Sequence, residues 1–316
     1  MPESLDVVYL GPPDLQTIIQ EAFPAGSRVH VALTRDEVRQ RVESCDAIVD
    51  AYMRVHFDEE LLAKARRLRV FVVAATGSDH VDRAYLKMRN IPLYTLEGER
   101  ELLKNLTPAA ELSWLLLLAC ARGLRGAVDD VLTGTWDRNR HPGLMLRGRV
   151  LGVVGAGRIG QWMCRYARAF EMECLGYDPY VEPWPDGIRK VSLDELLPRS
   201  DFVSIHVPLS EETTGLVGTR EFGLMKDGAV LINTSRGVIV DQNAFLRALE
   251  SGKLRAAGVD VLEGEPDIAG HPLVEYARRH QNLVITPHIG GFSPDALVTV
   301  LSFAAKKALG ELVPRA

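Results

Sequence analysis

Cysteine is scarce in this sequence, and its four thiols are scattered. Cys45, Cys120, Cys164 and Cys174 include no C-x-x-C pair. A disulfide framework would be denser and a zinc site would show paired spacing, so neither is expected. We predict reduced thiols that serve as small apolar residues, and no bound metal.

Long apolar runs and blocks of positive charge are also missing. The longest apolar run, Leu112–Ala121, has ten residues, whereas a membrane span needs about 20. The N-terminus is acidic and lacks the basic and apolar regions of a signal peptide. Lys and Arg number 37 against 42 Asp and Glu, with no basic block of the kind that binds nucleic acid. These absences predict a cytoplasmic protein with no membrane or nucleic-acid partner.

What the sequence does contain is a regular alternation of short apolar runs and amphipathic segments. Before Asn90 it predicts strands at 7–10, 29–33, 47–49 and 70–73 and helices at 14–23, 36–44 and 58–67. Asp14 is the expected N-cap of the first helix. Beyond Asn90 the rhythm continues with helices at 109–122, 161–170 and 294–312 and strands at 150–155, 173–177, 203–207, 229–233, 256–261 and 283–286. The pattern predicts an α/β protein with two doubly wound parallel-sheet domains of the Rossmann or flavodoxin-like type.

The segment Ala109–Arg122 is apolar on nearly every side when drawn as a helix. Such a helix is buried on most of its faces. A second subunit would cover the leucines that one domain cannot, so we predict a homodimer.

A glycine-rich turn follows the strand at 150–155. Gly155, Gly157 and Gly160 form a G-x-G-x-x-G pattern that opens the next helix, the context in which this motif becomes specific. The glycines permit a tight turn, close approach of a pyrophosphate, and close packing of helix on strand. Asp178 ends the next strand, 21 residues after Gly157, where a carboxylate would bind the ribose 2′-hydroxyl of NAD. No Arg or Lys follows directly to hold a 2′-phosphate, so NAD is predicted rather than NADP.

Residues with distinctive chemistry lie at three further strand ends of the same domain. Arg236 follows the strand at 229–233, Asp260 and Glu265 lie at and beyond the end of the next, and His288 follows the last. Ligands of such sheets bind beyond the carboxyl ends of the strands. An Arg, a Glu and a His on successive strand ends therefore predict a reactive site.

Together these segments resemble the D-isomer-specific 2-hydroxyacid dehydrogenase family, in its phosphoglycerate dehydrogenase-like form. The resemblance extends over nearly the whole chain, and with 28 residues after His288 we expect no regulatory domain. The matching segments are the glycine motif with Asp178, Ser204–Leu209, Asn233–Gly237, Asp260–Pro266 and Thr286–Gly291.

The resemblance implies that Arg236, Glu265 and His288 are catalytic, and their chemistry suits the reduction of a 2-keto acid. NADH supplies a hydride to the carbonyl carbon, and His288 would supply the proton to its oxygen. Glu265 would favour the imidazolium form and fix its tautomer. Arg236 would hold the substrate carboxylate through its planar fork and polarise the carbonyl.

The resemblance also implies further cofactor contacts. Arg158 and Ile159 would lie at the phosphates, and Gly291 lies next to the catalytic histidine. The remaining implied contacts are those to adenosine (His206, Pro208, Thr213) and to the nicotinamide ribose and carboxamide (Thr234, Asp260). Asp260 could equally be a buried residue that braces Arg236.

On the substrate side the resemblance points to the loop after the strand at 70–73. Backbone N–H groups of Thr76, Gly77 and Ser78 would bind the substrate carboxylate. This loop departs from the usual G-x-G-x-D-N-x-D pattern of the family at Ala75 and His80.

A second departure is Asp50, at a strand end that typically carries Arg in the phosphoglycerate branch. An acid there would repel a substrate phosphate. Arg54 is a candidate substrate-binding residue that would replace the missing charge, and a solvated arginine is the alternative. Arg100 and the segment 136–139 are weaker candidates to close the site.

The resemblance implies that a nucleotide domain, residues 102–287, is inserted into a discontinuous substrate domain of residues 1–101 and 288–316. The leading hypothesis is an NAD-dependent oxidoreductase that acts on a small 2-hydroxy or 2-keto acid. Two alternatives stay open. One is an NADH-sensing, corepressor-like binding protein, and the other is a dehydrogenase on the same scaffold for another hydride donor, such as phosphite.

Overall fold

The computed structural model describes residues 4–313, in which strands alternate with helices. The strands are β1 (Asp6–Leu10), β2 (Arg28–Val31), β3 (Ala47–Asp50), β4 (Val70–Val73), β5 (Leu93–Tyr94), β6 (Val150–Val154), β7 (Glu173–Tyr177), β8 (Arg189–Lys190), β9 (Phe202–Ile205), β10 (Ala229–Asn233), β11 (Leu254–Val259) and β12 (Leu283–Ile285). The helices are α1 (Gln16–Ala22), α2 (Arg35–Arg41), α3 (Glu59–Lys64), α4 (Arg83–Met88), α5 (Arg100–Leu103), α6 (Pro108–Arg122), α7 (Leu124–Leu132), α8 (Arg158–Ala169), α9 (Leu193–Arg199), α10 (Thr219–Leu224), α11 (Gln242–Glu250), α12 (Pro272–Arg279) and α13 (Pro294–Leu312).

These elements form two α/β units, each built on a parallel sheet, so the predicted fold class is confirmed. One unit contains the residues up to Leu106 and those from Ser293 onwards, and the other is Thr107–Phe292. Both boundaries fall five residues later than the sequence predicted. His288 belongs to the second unit because its segment is hydrogen-bonded to Asp260 there.

The first unit has five strands in the order β2-β1-β3-β4-β5. The strands are apolar on both faces because helices cover both sides of a parallel sheet. One face packs on α13 and α1, and the other packs on α2, α3 and α4. In the register of β3 and β4, Asp50 is paired with Val73. The loops that follow these two strands therefore start side by side.

The second unit has seven strands in the order β12-β11-β10-β9-β6-β7-β8. The order reverses at β6, which lies between β7 and β9, and such a switch point is where ligands bind. The last residues of β9, β10, β11 and β12 are paired across the sheet. The segments that follow these strands therefore begin at one edge of the sheet.

The N-cap expected for the first helix is wrong. Pro13–Leu15 forms a 3-10 turn in which Leu15 N donates to Pro12 O at 3.0 Å, and α1 starts only at Gln16, with no side-chain cap. Two successive prolines restrict the backbone to this turn before the helix begins. Asp14 therefore lies inside the turn.

Helix α6 is buried on the side that faces the sheet, where Leu116, Leu117 and Cys120 pack against β10 and β11. The expectation of burial on most faces holds only there, because Leu115 is 54% exposed. The exposed apolar surface continues along α7 to Leu132, which is 79% exposed. All four cysteines of the chain are free and buried, as small apolar residues are.

Candidate active site

The glycine-rich turn between β6 and α8 is packed closely at two glycines and open at the third. Gly155 has a φ of 98°, and a Cβ there would lie 2.6 Å from the carbonyl carbon of His206. A Cβ on Gly160 would lie 2.1 Å from the oxygen of Gly155. At Gly157, the N-cap of α8, no described atom beyond its two chain neighbours lies within 4 Å of the Cβ position. This open space faces the first N–H groups of a helix, where a pyrophosphate fits.

The residues around this turn have polar groups suited to a dinucleotide. Arg158 and Ile159 begin α8 and are half-buried, and burial lowers the pKa of the Arg158 guanidinium. Asp178 accepts from Ala156 N at 3.0 Å through Oδ2. Because a carboxylate oxygen can accept two hydrogen bonds, Oδ2 retains a lone pair for a hydroxyl group.

The loop after β9 is held in one shape by its own side chains. Thr213 Oγ1 donates to Pro208 O at 2.7 Å and accepts from Ser210 N at 2.8 Å. At the start of the loop, His206 Nε2 lies 2.7 Å from Ser204 Oγ. Its Nδ1 is shielded from solvent and has no hydrogen-bond partner among residues 4–313. Burial lowers the pKa of His206 to about 3, so this imidazole is neutral at pH 7.

Arg236 follows β10 in a turn that its neighbours hold. The buried Asn233 donates through Nδ2 to Arg236 O at 2.9 Å and accepts from Ser235 N at 3.0 Å. Arg236 is half-buried, and its Nη1 donates to Ser235 O at 2.8 Å. A Cβ on Gly237 would lie 2.2 Å from Glu263 N, so glycine is needed for this turn to approach the loop after β11.

Thr234, the first residue of that turn, is tied to helix α6. Its hydroxyl lies 2.7 Å from the hydroxyl of Ser113, which is fully buried and donates to Ala109 O at 2.6 Å. The contact positions Thr234 at the edge of the sheet where the cofactor contacts were predicted.

Asp260 is a buried carboxylate that holds the segment carrying His288. Its Oδ1 accepts from Thr286 Oγ1 at 2.6 Å and from Ile289 N at 2.9 Å, and its Oδ2 accepts from Gly290 N at 2.7 Å. Its main-chain oxygen accepts from His288 N at 2.9 Å. Burial raises the pKa of Asp260, and these hydrogen bonds oppose the rise. Bracing of the His288 segment is a role that the sequence did not suggest. Gly291, which follows, is exposed.

His288 and Glu265 contact each other at this edge. His288 Nδ1 lies 2.5 Å from Glu265 Oε1, and the two side chains are 33% and 28% exposed. Glu265 Oε2 accepts from Leu262 N at 3.2 Å, which orients the carboxylate. His288 has a left-handed φ of 54°, a conformation that costs a non-glycine residue about 1–3 kcal/mol. The hydrogen bonds to Asp260 stabilise it.

In the first unit, the predicted substrate loop follows β4. Thr76 is exposed, Gly77 is half-buried and Ser78 is buried. Ser78 Oγ accepts from Arg83 Nε at 2.7 Å, so this side chain supports the loop itself. The main chain is then the part of Ser78 that can bind an anion.

Asp50 is the last residue of β3, and Arg54 lies in the loop that follows this strand. Asp50 is fully buried: its Oδ1 accepts from Tyr52 N at 2.8 Å and Met53 N at 2.9 Å, and its Oδ2 lies 2.9 Å from His80 Nε2. It therefore presents no carboxylate oxygen at the surface. Arg54 is exposed, and its guanidinium carbon lies 4.6 Å from the centre of the Tyr52 ring.

Sequence reasoning assigned no role to three residues that support the site, namely Ser113, Asn233 and Thr286. Each is polar and lies within or beside an apolar segment, and each hydrogen-bonds to a residue of the site or its turn. A serine in the middle of the leucine-rich helix α6 is a signal that could have been used, because a buried polar side chain needs a partner.

Two models of one known protein family match this chain. Residues 7–99 match the family model described as D-isomer specific 2-hydroxyacid dehydrogenase, catalytic domain. Residues 114–290, more than half of the chain, match the NAD binding domain of the same family. The chain belongs to the D-isomer specific 2-hydroxyacid dehydrogenase family. The second of these models is an NAD binding domain, and the prediction of NAD as the cofactor is confirmed at this level.

Three relatives illustrate the range of the family. This chain is 36% identical to a glyoxylate reductase from Thermococcus litoralis, over 89% of this chain and 86% of that protein. It is 35% identical to a D-3-phosphoglycerate dehydrogenase from Archaeoglobus fulgidus over 86% of this chain, and it spans about half the length of that relative, 50%. A D-lactate dehydrogenase from Aquifex aeolicus, solved with NAD and lactic acid, superposes with a TM-score of 0.80 at 29% identity, over 96% of this chain and 94% of that chain.

The residues of this family member fit the cofactor on structural grounds. The open space at Gly157, the unpartnered Nδ1 of His206 and the remaining lone pair of Asp178 suit phosphate, polar and hydroxyl groups of a dinucleotide. Across residues 4–313, no helix has both the length and the apolar content to cross a bilayer. The same residues form no cluster of three or more His, Cys, Asp or Glu that could hold a metal ion.

Proposed function

We propose that the chain is an NAD-dependent oxidoreductase that interconverts a small D-2-hydroxy acid and its 2-keto acid. The observation that carries the proposal is the 2.5 Å contact of His288 Nδ1 with Glu265 Oε1, at the sheet edge where Arg236 also emerges. An acid–base pair and a carboxylate-binding cation are the two protein functions that this reaction needs. Membership of the family supports the same assignment.

In the proposed reaction, each of Arg236, His288 and Glu265 has a separate role. When bound, NADH supplies the hydride for the carbonyl carbon. Arg236 binds the substrate carboxylate through parallel N–H groups, and its charge polarises the neighbouring carbonyl. His288 gives a proton from Nε2 to the carbonyl oxygen and takes it back when the hydroxy acid is oxidised. Glu265 holds the Nδ1 side of the ring, so proton transfer occurs at Nε2.

In the first unit, we assign substrate binding to the loops after β3 and β4. The main chain of residues 76–78 is the proposed site for a carboxylate, and Arg54, oriented by the Tyr52 ring, is the proposed cation of the loop after β3. Asp50 stands where the phosphoglycerate branch carries a cation, and its carboxylate is bound by its own loops. We therefore favour an unphosphorylated acid as the substrate.

A homodimer is also part of the proposal. Exposed apolar side chains follow one another along α6 and α7, which a monomer rarely leaves uncovered. They are Leu115, Leu124, Val128, Val131 and Leu132. A second copy of the same surface would cover them with closed, two-fold symmetry.

The test is NADH consumption by the purified protein with a panel of 2-keto acids. The panel contains glyoxylate, hydroxypyruvate, pyruvate, phenylpyruvate, 2-ketoisocaproate and phosphohydroxypyruvate, with NADPH in parallel. We expect turnover of an unphosphorylated acid and a preference for NADH. NADH binding without any turnover would favour the NADH-sensing alternative. Reduction of NAD by phosphite alone would favour a different hydride donor.

A further inference from the structure

Two departures from the family pattern in the first unit contact each other. Asp50 ends β3 and His80 lies in the loop after β4, 30 residues further along the chain. The neighbouring positions of β3 and β4 bring them together, and Asp50 Oδ2 lies 2.9 Å from His80 Nε2. A carboxylate and an imidazole at these positions thus form one pair.

The pair is buried, and its bonds reach both loops. The Asp50 side chain is 0% exposed and that of His80 is 11% exposed. A buried carboxylate is costly unless each oxygen has partners. Oδ1 of Asp50 binds the main chain of Tyr52 and Met53, and Oδ2 binds His80. One side chain therefore ties the loop after β3 to the loop after β4.

In the loop after β3, the hydrogen bonds to Asp50 hold a strained backbone conformation in place. Met53 has a left-handed φ of 52°, which a non-glycine residue adopts only when other bonds support it. Arg54 comes next, and its guanidinium lies over the Tyr52 ring. The direction of Arg54 therefore depends on the turn that Asp50 holds.

In the loop after β4, His80 is anchored through its main chain as well. Its oxygen accepts from Phe57 N at 2.8 Å, and Val81 N donates to Ser78 O at 3.0 Å. Residues 76–78 thus lie between the end of β4 and a histidine that is fixed at both its ring and its backbone.

We propose that Asp50 and His80 are a positioning pair for the substrate, because they hold residues 76–78 and Arg54 in one fixed relation. The inference rests on the proposed function, which makes these loops substrate-binding. Asp50 is buried, so it acts through the loops. The cofactor residues belong to the second unit, so loss of the pair should weaken substrate binding and leave cofactor binding unchanged.

The first test uses His80→Phe, which keeps a ring but removes the donor, and His80→Gln, whose amide nitrogen can replace Nε2. We expect His80→Phe to raise KM for the preferred 2-keto acid about tenfold while kcat changes less than about threefold. His80→Gln should restore KM to within about threefold of the parent. The dissociation constant of NADH should be unchanged in both. Should His80→Phe fold poorly, His80→Ala removes the same donor without adding volume.

The control is His30→Phe. His30 Nε2 lies 3.4 Å from the largely buried Asp6 Oδ1, a histidine–aspartate contact in the same unit. Asp6 begins β1, whereas Asp50 is the last residue of the neighbouring β3, so this contact is at the other end of the parallel sheet. The variant should leave KM unchanged even if its Tm falls. A KM for His80→Phe within about twofold of the parent would overturn the inference. So would equal losses in His80→Phe and His80→Gln, or an equal rise in KM for His30→Phe.

A second measurement separates this inference from the proposed function. Amide hydrogen exchange in His80→Phe should be about tenfold faster at residues 51–54 and 76–80 and unchanged at 286–291. If the parent protein turns over no acid of the panel, the proposed function fails, and the exchange data still decide whether the pair couples the loops. Unchanged exchange at both loops would exclude that coupling.

Discussion

Single residues at this site owe their positions to buried neighbours that bind their backbone. Asp260 holds the segment of His288, and Asn233 holds the turn of Arg236. Both supporting residues are almost fully buried, so their hydrogen bonds do not compete with water. The side chains proposed to take part in the reaction can therefore be partly exposed and still keep a defined position.

Arg236→Ala should abolish turnover without releasing the cofactor. We expect kcat/KM for the preferred 2-keto acid to fall by about 10³-fold, because the substrate carboxylate loses its bidentate partner. The dissociation constant of NADH should stay within about threefold of the parent. Arg236→Lys is the matched variant, since it keeps the charge but lacks the planar fork, and it should recover only part of the loss. Unchanged turnover in Arg236→Ala would contradict the assignment.

We expect the free energy of unfolding to depend on pH because of His206. Burial lowers its pKa to about 3 from the ordinary value of 6.5. Between these values the unfolded chain binds a proton that the folded chain does not, so the free energy of unfolding falls as the pH falls. The slope is at most about 1.4 kcal/mol per pH unit.

The slope is checked by measuring the free energy of unfolding in urea, without cofactor, for the parent protein and for His206→Gln. At about pH 7, 6 and 5 the parent should lose stability relative to the variant, which has no group to protonate there. Parallel curves for the two proteins would show that the imidazole is not buried and neutral.

At the scale of elements, the turn between β6 and α8 contains glycines that the close packing of the fold requires and one, Gly157, that we propose is required for cofactor binding. A Cβ on Gly160 meets the backbone of Gly155, whereas a Cβ on Gly157 meets no described atom. The fold tolerates a side chain at Gly157, and a phosphate approaching the helix N-terminus would not.

Gly157→Ala should therefore keep the Tm of the parent and raise the dissociation constant of NADH about tenfold or more. Gly160→Ala should lower the Tm, because the new methyl group displaces the backbone of the turn. Gly223→Ala in α10 is the control, since it also adds a methyl group in open space and should leave NADH affinity unchanged. Equal NADH affinity in Gly157→Ala and the parent would exclude the turn as the pyrophosphate site.

At the scale of the whole molecule, the residues proposed for cofactor binding and acid–base chemistry belong to one unit, and the loops proposed for substrate binding belong to the other. Losses of cofactor affinity and of substrate affinity can therefore be measured separately. The proposed dimer surface lies on the unit that contains the glycine turn.

Leu132→Glu should disrupt the proposed dimer. The side chain is 79% exposed at the end of α7, so a charge there costs the folded chain little and places a charge in the apolar surface between two copies. Light scattering should give twice the chain mass for the parent and the single mass for the variant. Met88→Glu, at a 66% exposed apolar residue of the first unit, is the control and should leave the mass unchanged. A parent of single chain mass would exclude the dimer.

Much of the fold was predictable because it depends on local patterns. The strands at 70–73, 173–177 and 229–233 coincide with β4, β7 and β10, since apolar runs bounded by turns are readable without any partner. The glycine motif and Asp178 were found in the same way, because the motif lies within one β-α-β unit. The start of α1 was wrong because a proline turn overrode the capping signal at Asp14.

Contacts between distant segments were decided only in the folded chain. The sequence contains Asp260, His288, Asp50 and His80, but the order of strands in each sheet determines which of them meet, and no local pattern carries that order. Asp260 reaches Gly290 across 30 residues because β11 and β12 are neighbours, and Asp50 reaches His80 because β3 and β4 are. Residue chemistry and local periodicity are properties of the sequence. The hydrogen bonds that hold the His288 segment and the loop of His80 depend on burial and strand pairing, which exist only in the tertiary structure.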